Sequence, residues 1–129
     1  MVIDSSAVMA IMMGEPEAAS FSMLIHAAPK RLMSAVNVVE THMVCWGRKR
    51  EPGVLLFTAF FASAQIEIAA VDSAQTACAR GAFDRYGKGR HGAGLNLADC
   101  FAYALSKTSG EPLLFKGGDF AKTDVRAAG

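Results

Sequence analysis

Cysteine is scarce in this sequence, and the cysteines that are present form no recognisable metal or disulfide motif. Cys45, Cys78 and Cys100 lie far apart in the chain and include no Cys-x-x-Cys pair. This spacing gives no reason to expect a zinc site or a disulfide framework. We interpret the three residues as buried free thiols, as in a protein from a reducing compartment.

Long apolar runs and an excess of charge of one sign are also missing. No stretch approaches the roughly 18 apolar residues of a membrane-spanning helix, and the residues before Asp4 leave no room for a signal sequence. We therefore expect a cytoplasmic protein without a membrane partner. Thirteen Lys and Arg residues against twelve Asp and Glu residues give a net charge of +1. Any nucleic-acid partner would therefore need a local basic patch.

Hydrophobic residues are abundant: they make up 52% of the 129 residues, whereas charged residues make up 19%. This balance is typical of a packed globular protein and argues against disorder. A chain of this length can bury a core without disulfides or a structural metal. No linker or internal repeat is visible, so we predict a single domain over residues 1–129.

Short apolar runs alternate with helix-like segments along the chain. Ser5 and Ser6 are expected to cap the first helix, Pro16 to occupy the first turn of the second, and Pro52 with Gly53 to separate the third from the fourth. The order predicts a central parallel β-sheet flanked by helices on both faces, an α/β fold. The predicted strands are 1–3, 32–35, 66–71 and 113–115. The predicted helices are 7–13, 16–28, 37–50, 54–63, 73–86 and 97–110, and residues 87–94 are predicted to form a flexible loop.

Two predicted helices begin with an asparagine that is followed three residues later by an acid. Asn37 precedes Glu40, and Asn96 precedes Asp99, which is the spacing of an N-terminal capping pair. Both acids can therefore support a cap and the helix dipole. For Glu40 this role and a role in a functional site remain open together.

Acidic residues also follow the first and last predicted strands. Asp4 ends the first strand in apolar surroundings, where an unpaired carboxylate is costly, and this favours a functional role. Because sites in open parallel sheets lie outside the carboxyl ends of the strands, we predict that Asp4, Glu40, Asp99 and Asp119 share one rim. Such a cluster would bind Mg²⁺ or Mn²⁺, and an all-carboxylate site suggests phosphoryl chemistry. Ser5 could orient a carboxylate or a water molecule there.

Four segments resemble the PIN-domain family, specifically the VapC-type toxins of bacterial type II toxin–antitoxin pairs. They are MVIDSSA (1–7), MSAVNVVE (33–40), YGKGRHGAGLNLADCFAYALSK (86–107) and PLLFKGGDF (112–120). Together they are specific, and the resemblance runs over nearly the whole chain. Two positions depart from the family pattern: Ser5 stands where Thr is common, and Gly118 stands where relatives often carry a second acid.

The resemblance implies a PIN-like fold and a metal-dependent endoribonuclease that hydrolyses RNA phosphodiester bonds. It makes Asp4 and Asp99 the principal ligands of Mg²⁺ or Mn²⁺, with Glu40 and Asp119 supporting them. Asp124 is an alternative fourth acid. The implied partners are the RNA substrate, a cognate VapB-type antitoxin that inhibits the enzyme, and further copies of the chain in homodimers and larger toxin–antitoxin assemblies.

Basic and apolar residues suggest where these partners would bind. We predict possible RNA contacts from the glycine loop and its surroundings, whereas the basic run 48–50 is interpreted as solvated surface. The apolar surface of the first helix, which includes Met9, Met12 and Met13, is expected to be partly core and partly antitoxin groove. The predicted RNA-binding residues are Ser5, Lys88, Arg90, His91 and Lys116.

Other classes of protein fit the sequence less well. A signalling receiver domain would use Lys116 after a late strand. It usually requires an acidic pair after the first strand, which is absent here, and its phosphoacceptor would have to be Asp72. A haloacid-dehalogenase-like phosphatase needs Asp-x-Asp where Ser6 stands. A catalytically silent PIN-fold module would bind RNA or protein even after loss of Asp4 and Asp99.

Overall fold

The sheet consists of four parallel strands, as the order of apolar runs predicts. A computed structural model describes all of residues 1–129. The spatial order is β3-β2-β1-β4, and every neighbouring pair is parallel. The α/β prediction is therefore confirmed. The strands are β1 (Val2–Ile3), β2 (Leu32–Ser34), β3 (Glu67–Ala69) and β4 (Leu113–Leu114).

Helices cover both faces of this sheet. Successive residues of a strand point to opposite sides, and in these strands both sides carry apolar residues that need to be buried. Val2 packs into a core with the fourth and fifth helices, whereas its neighbour Ile3 packs into a second core with the first three. No helix of the protein is both long and apolar enough to cross a membrane. The helices are α1 (Ser5–Met12), α2 (Ala18–Ala27), α3 (Ala35–Ser63), α4 (Ser73–Tyr86) and α5 (Leu97–Ser109), followed by a 3₁₀ turn, Phe120–Lys122.

The long helix α3 is two helical pieces joined at a kink. Arg50 has φ 54° and ψ −144°, which is not a helical conformation, and Pro52 follows two residues later. Pro lacks a backbone N–H and fits the first turn of a helix better than its interior. The predicted separation of two helices is therefore present, although the break lies at Arg50 rather than at Pro52 and Gly53.

The helix starts differ from the prediction where two residues compete to be the cap. Asp4, not Ser5 or Ser6, caps α1, because its side chain accepts a hydrogen bond from the Ser6 amide. Ser34 caps α3, so Asn37 falls inside the first turn and is not a capping residue. The predicted cap role of Glu40 is therefore wrong.

Two other starts can be compared with the prediction in the same way. Helix α2 begins at Ala18 rather than at Pro16, which was predicted to be its first residue. The predicted capping pair of α5 is present in both directions, with Asn96 bonded to the amide of Asp99 and Asp99 bonded to the amide of Asn96.

Gly53 allows the two pieces of α3 to approach closely. A Cβ at this position would lie 2.6 Å from the carbonyl oxygen of Cys45 and 2.9 Å from Cβ of Lys49, whereas a Cβ at the helical, exposed Gly47 would meet nothing within 4 Å. We expect Gly53→Ala to lower the free energy of unfolding by about 1–3 kcal/mol. The control Gly47→Ala should raise it by up to about 1 kcal/mol, because alanine favours helix. Urea denaturation of both variants measures the difference, and equal effects would contradict the close approach.

Candidate active site

Asp4 is a buried carboxylate at the end of the central strand. Its side chain is 3% exposed, and its amide donates to the carbonyl oxygen of Leu114 at 2.9 Å. Asp4 Oδ2 accepts hydrogen bonds from the Ser6 amide at 3.0 Å and from the Ser6 hydroxyl at 2.6 Å. Asp4 Oδ1 accepts from Nδ2 of Asn37 at 3.3 Å. Both carboxylate oxygens are therefore fixed in direction.

Burial raises the pKa of Asp4 from 3.8 to about 6. The two hydrogen bonds from Ser6 oppose this shift because they stabilise the charged form, whereas the negative charges of Asp99 and Glu40 add to it. The pKa of Asp99 is raised as well, first by burial and then by Glu40 and Asp119, against the hydrogen bond from Asn96. Asp4, Glu40 and Asp99 are therefore close enough to influence one another, and Asp119 is close enough to influence Asp99.

Asp99 has a double role at the start of α5. Its Oδ2 accepts from the Asn96 amide at 3.0 Å, which completes the cap, while Oδ1 makes no hydrogen bond to the protein. Glu40 is half-buried, and its carboxylate forms neither a hydrogen bond nor an ion pair with another residue. The oxygen atoms of Asp99 and Glu40 that the fold does not use are available to a ligand.

The fourth acid near Asp99 is Asp119 rather than Asp124. Asp119 lies beside the short 3₁₀ turn. Asp124 instead accepts from the Tyr103 hydroxyl at 2.6 Å and from Lys107 Nζ at 3.1 Å, and lies 3.8 Å from the guanidinium of Arg85. These partners hold the pKa of Asp124 below its usual value. The carboxylate of Asp124 is therefore paired with other side chains, and the prediction of Asp124 as an alternative fourth acid is wrong.

Two polar residues that support Asp4 were not predicted. Ser6 Oγ both donates to Asp4 and accepts from the Lys116 amide at 3.0 Å, so it links the ends of β1 and β4. Asn37 was interpreted as a cap, although an asparagine within the apolar run Val-Asn-Val-Val was the signal of a buried polar residue. The predicted RNA contact of Ser5 is wrong, because Ser5 is buried and its hydroxyl bonds to Asn37.

The predicted basic contacts divide into paired and free residues. Lys116 forms ion pairs with Glu15 and with Glu17, the latter at 3.2 Å, so it is not the free phosphate contact that we expected. The ring of His91 accepts from the Ala93 amide at 3.0 Å and packs edge-on against Tyr86, which fixes the glycine loop.

Lys88 and Arg90 stay exposed on the glycine loop. The backbone pairing of Gly87 with Leu95 closes this loop immediately before Asn96 and the start of α5. The two cations are therefore carried on a loop that ends beside the helix bearing Asp99.

An apolar groove of about 750 Å³ runs beside Glu40. Its walls come from the first turns of α3 and from the start of α5. Val39, Met43 and Leu97 are 59%, 65% and 74% exposed, respectively. The acidic residues therefore lie next to a hydrophobic surface.

The chemistry of the donor set suits a hard divalent cation. All four acids offer oxygen atoms, which Mg²⁺ and Mn²⁺ prefer. A cation would stabilise the charged forms of Asp4 and Asp99, whose pKa values are raised first by burial and then by repulsion from neighbouring acids. No three of the His, Cys, Asp and Glu side chains converge on a single point. Hydrogen bonds hold both oxygens of Asp4 and one oxygen of Asp99, and the charges of Glu40 and Asp119 act on Asp99.

The receiver-domain alternative does not fit this geometry. Its phosphoacceptor would be Asp72, but this residue follows the edge strand β3 and caps α4 by accepting from the Gln75 amide at 2.8 Å. The buried acid lies after the central strand instead, at Asp4.

Comparisons with known proteins agree with this architecture. The family model of the PIN domain matches residues 1–126. Ribonuclease VapC30 of Mycobacterium tuberculosis is 46% identical over 125 residues, which cover 97% of this chain and 95% of the relative. Ribonuclease VapC of Mycolicibacterium smegmatis is 48% identical over 127 residues, or 98% of each chain.

Solved structures share the fold at lower sequence identity. The crystal structure of Mycobacterium tuberculosis VapC20, a Sarcin-Ricin loop cleaving toxin, superposes with a TM-score of 0.76 at 16% identity and covers 96% of this chain and 95% of that one. A toxin–antitoxin complex from Klebsiella pneumoniae gives a TM-score of 0.69 at 16% identity over 95% and 92%. The match of the family model and the full-length relatives lead to one conclusion: this chain belongs to the PIN-domain family, in the group of the VapC ribonucleases.

Proposed function

We propose that this protein is a metal-dependent endoribonuclease and the toxin of a type II toxin–antitoxin pair. The observation that carries the proposal is the buried Asp4 carboxylate, held by Ser6 and Asn37 and facing the charges of Asp99 and Glu40. Neighbouring carboxylates repel one another, so this arrangement does not stabilise the fold. The names of the relatives, which are ribonucleases, support the same chemistry.

Asp4 and Asp99 would hold Mg²⁺ or Mn²⁺, with Glu40 and Asp119 supporting them. Such a cation supplies an activated water molecule and offsets the charge that develops on the phosphodiester. Ser6 and Asn37 keep the Asp4 oxygens in place. The carboxylate of Glu40, which has no protein partner, is suited to accept a proton from the attacking water.

RNA would be held by the exposed cations of the glycine loop. An acidic centre repels phosphate, so binding needs positive charge nearby. Lys88 and Arg90 form no ion pair with an acid. The guanidinium of Arg90 donates to the carbonyl oxygen of Asp84 at 3.2 Å and lies over the ring of Phe83 at 5.7 Å. We therefore assign the phosphate contacts to Lys88 and Arg90. The proposed enzyme acts on RNA in the cytoplasm.

The proposed protein partner is a cognate VapB-type antitoxin, together with further copies of the toxin in a homodimer and larger assemblies. The structural neighbour from Klebsiella pneumoniae is a toxin–antitoxin complex, which supports this partner class. On α1, Met9 and Met12 are partly buried against the second core and Met13 is 38% exposed, so this surface belongs in part to the core, as expected. A further exposed apolar surface, which includes Val39, Met43 and Leu97, lies beside Glu40.

Cleavage of RNA tests the proposed activity. We expect metal-dependent cleavage of total bacterial RNA at discrete positions, with activity abolished by EDTA and reduced at least about 100-fold in Asp4→Ala and Asp99→Asn, because both remove a ligand. Asp124→Asn is the matched control and should keep its activity, since Asp124 pairs away from the site. Denaturing gels and end mapping measure the products. Absence of cleavage by the wild type with every metal would favour a catalytically silent binding module.

The raised pKa of Asp4 makes stability depend on pH in EDTA. Because the folded-state pKa of about 6 exceeds the unfolded value of 3.8, the contribution of Asp4 is fully present below about pH 4 and is lost as the pH rises through about 6. Relative to Asp4→Asn, the wild type should lose about 2–3 kcal/mol of unfolding free energy between about pH 4 and pH 7. Urea denaturation across this range measures the loss. A difference that does not vary with pH would contradict a buried, titrating Asp4.

The loop cations are tested by their effect on substrate binding. We expect the pair Lys88→Ala and Arg90→Ala to raise KM for RNA several-fold and to weaken its dependence on salt, with kcat little changed, because phosphate contacts are electrostatic. The control pair Arg48→Ala and Lys49→Ala removes the same charge from the basic run of α3. If both pairs change KM equally, only net charge matters and the assignment to the loop is wrong.

A further inference from the structure

Asn37 is a fully buried residue that lies between the elements carrying the acids. It is in the first turn of α3, one turn before Glu40. Its Nδ2 atom donates to Asp4 Oδ1 at 3.3 Å and to the carbonyl oxygen of Ala98 at 3.3 Å. Ala98 directly precedes Asp99. The Asn37 amide therefore links Asp4 to the start of α5, which carries Asp99, and to the first turns of α3, which carry Glu40.

The neighbours of Asn37 determine which way its amide points. The Ser5 hydroxyl donates to the backbone oxygen of Asn37 at 3.3 Å, so its lone pairs are free to accept from Nδ2 at 3.2 Å. Nδ2 therefore faces a carboxylate, a carbonyl and a hydroxyl oxygen, all acceptors. The reversed amide would place Oδ1 against the negative charge of Asp4.

The oxygen of the same amide has no partner. Asn37 Oδ1 is buried and accepts no hydrogen bond, which lowers stability relative to an apolar residue of the same shape. Packing alone does not explain an asparagine here. The hydrogen bond from Asn37 Nδ2 to Asp4 is the interaction that an apolar residue could not make.

We propose that Asn37 is a positioning residue that orients the Asp4 carboxylate and ties it to the start of α5, so that Asp4 and Asp99 can bind a divalent cation together. The inference rests on the proposed metal-dependent function. Partners that orient metal ligands in this way contribute strongly to metal affinity. Asn37 itself touches neither the cation nor the RNA.

Gln75 offers a matched control. It is also buried, its Nε2 donates to the carbonyl oxygen of Ala70 at 3.1 Å, and its Oε1 is without a partner. Its amide makes no hydrogen bond to any of the four acids. Gln75→Leu and Asn37→Leu therefore remove the same kind of buried amide, but only Asn37→Leu removes a donor to Asp4.

The test is Mn²⁺ binding to the metal-free proteins by titration calorimetry, together with thermal unfolding in EDTA. We expect Asn37→Leu to bind Mn²⁺ about tenfold or more weakly than the wild type, with Gln75→Leu unchanged in affinity. Asn37→Leu should lower the unfolding temperature in EDTA more than Gln75→Leu, because it leaves three acceptors without this donor rather than one. Asn37→Ala, with Gln75→Ala as its control, decides the question if the leucine variant does not fold.

The opposite outcomes are separable. A folded Asn37 variant with wild-type Mn²⁺ affinity overturns the positioning role alone. Failure of both Asn37 variants to fold would assign Asn37 to stability and also overturn it. A wild type that binds no Mn²⁺ overturns the proposed metal-dependent function together with this inference.

Discussion

The charge of Asp4 is held inside the protein at the end of the central strand, and many features of the molecule follow from the cost of that burial. A carboxylate removed from water needs hydrogen-bond donors or a cation. The donors come from Ser6 on one side and Asn37 on the other. These contacts bring the starts of α1 and α3 to the same point, and the site is therefore built from helix ends rather than from loops.

The sheet and the position of its acids could be predicted from the sequence because both depend on local patterns. The short apolar run that ends at Asp4 predicts β1, and the spacing of Asn96 and Asp99 predicts the start of α5. In a parallel sheet, the carboxyl ends of the strands share an edge. Helix α5 leads to the start of β4, so its own start, with Asp99, lies at the edge where Asp4 ends β1. The family resemblance added the partners and the reaction.

The errors arise where local sequence allows two choices that only tertiary packing decides. Ser34 and Asn37 can both cap a helix. The strand β2 ends at Ser34, so the helix begins there and Asn37 becomes a core residue. In the same way, the pairing of Lys116 with Glu15 and Glu17 joins residues about a hundred positions apart, and no spacing pattern reports such a contact.

The order of the strands has a consequence for the protein during synthesis. The central strand β1 is made first, but its neighbour β4 is made last, and the Asp4 amide bonds to Leu114. A nascent chain on the ribosome therefore cannot close the edge of the sheet around Asp4 until more than a hundred residues have been translated. The long sequence separation of this pairing delays it in refolding as well. The acidic centre is therefore completed only after β4, whose end bonds to Asp4 and Ser6, has been made.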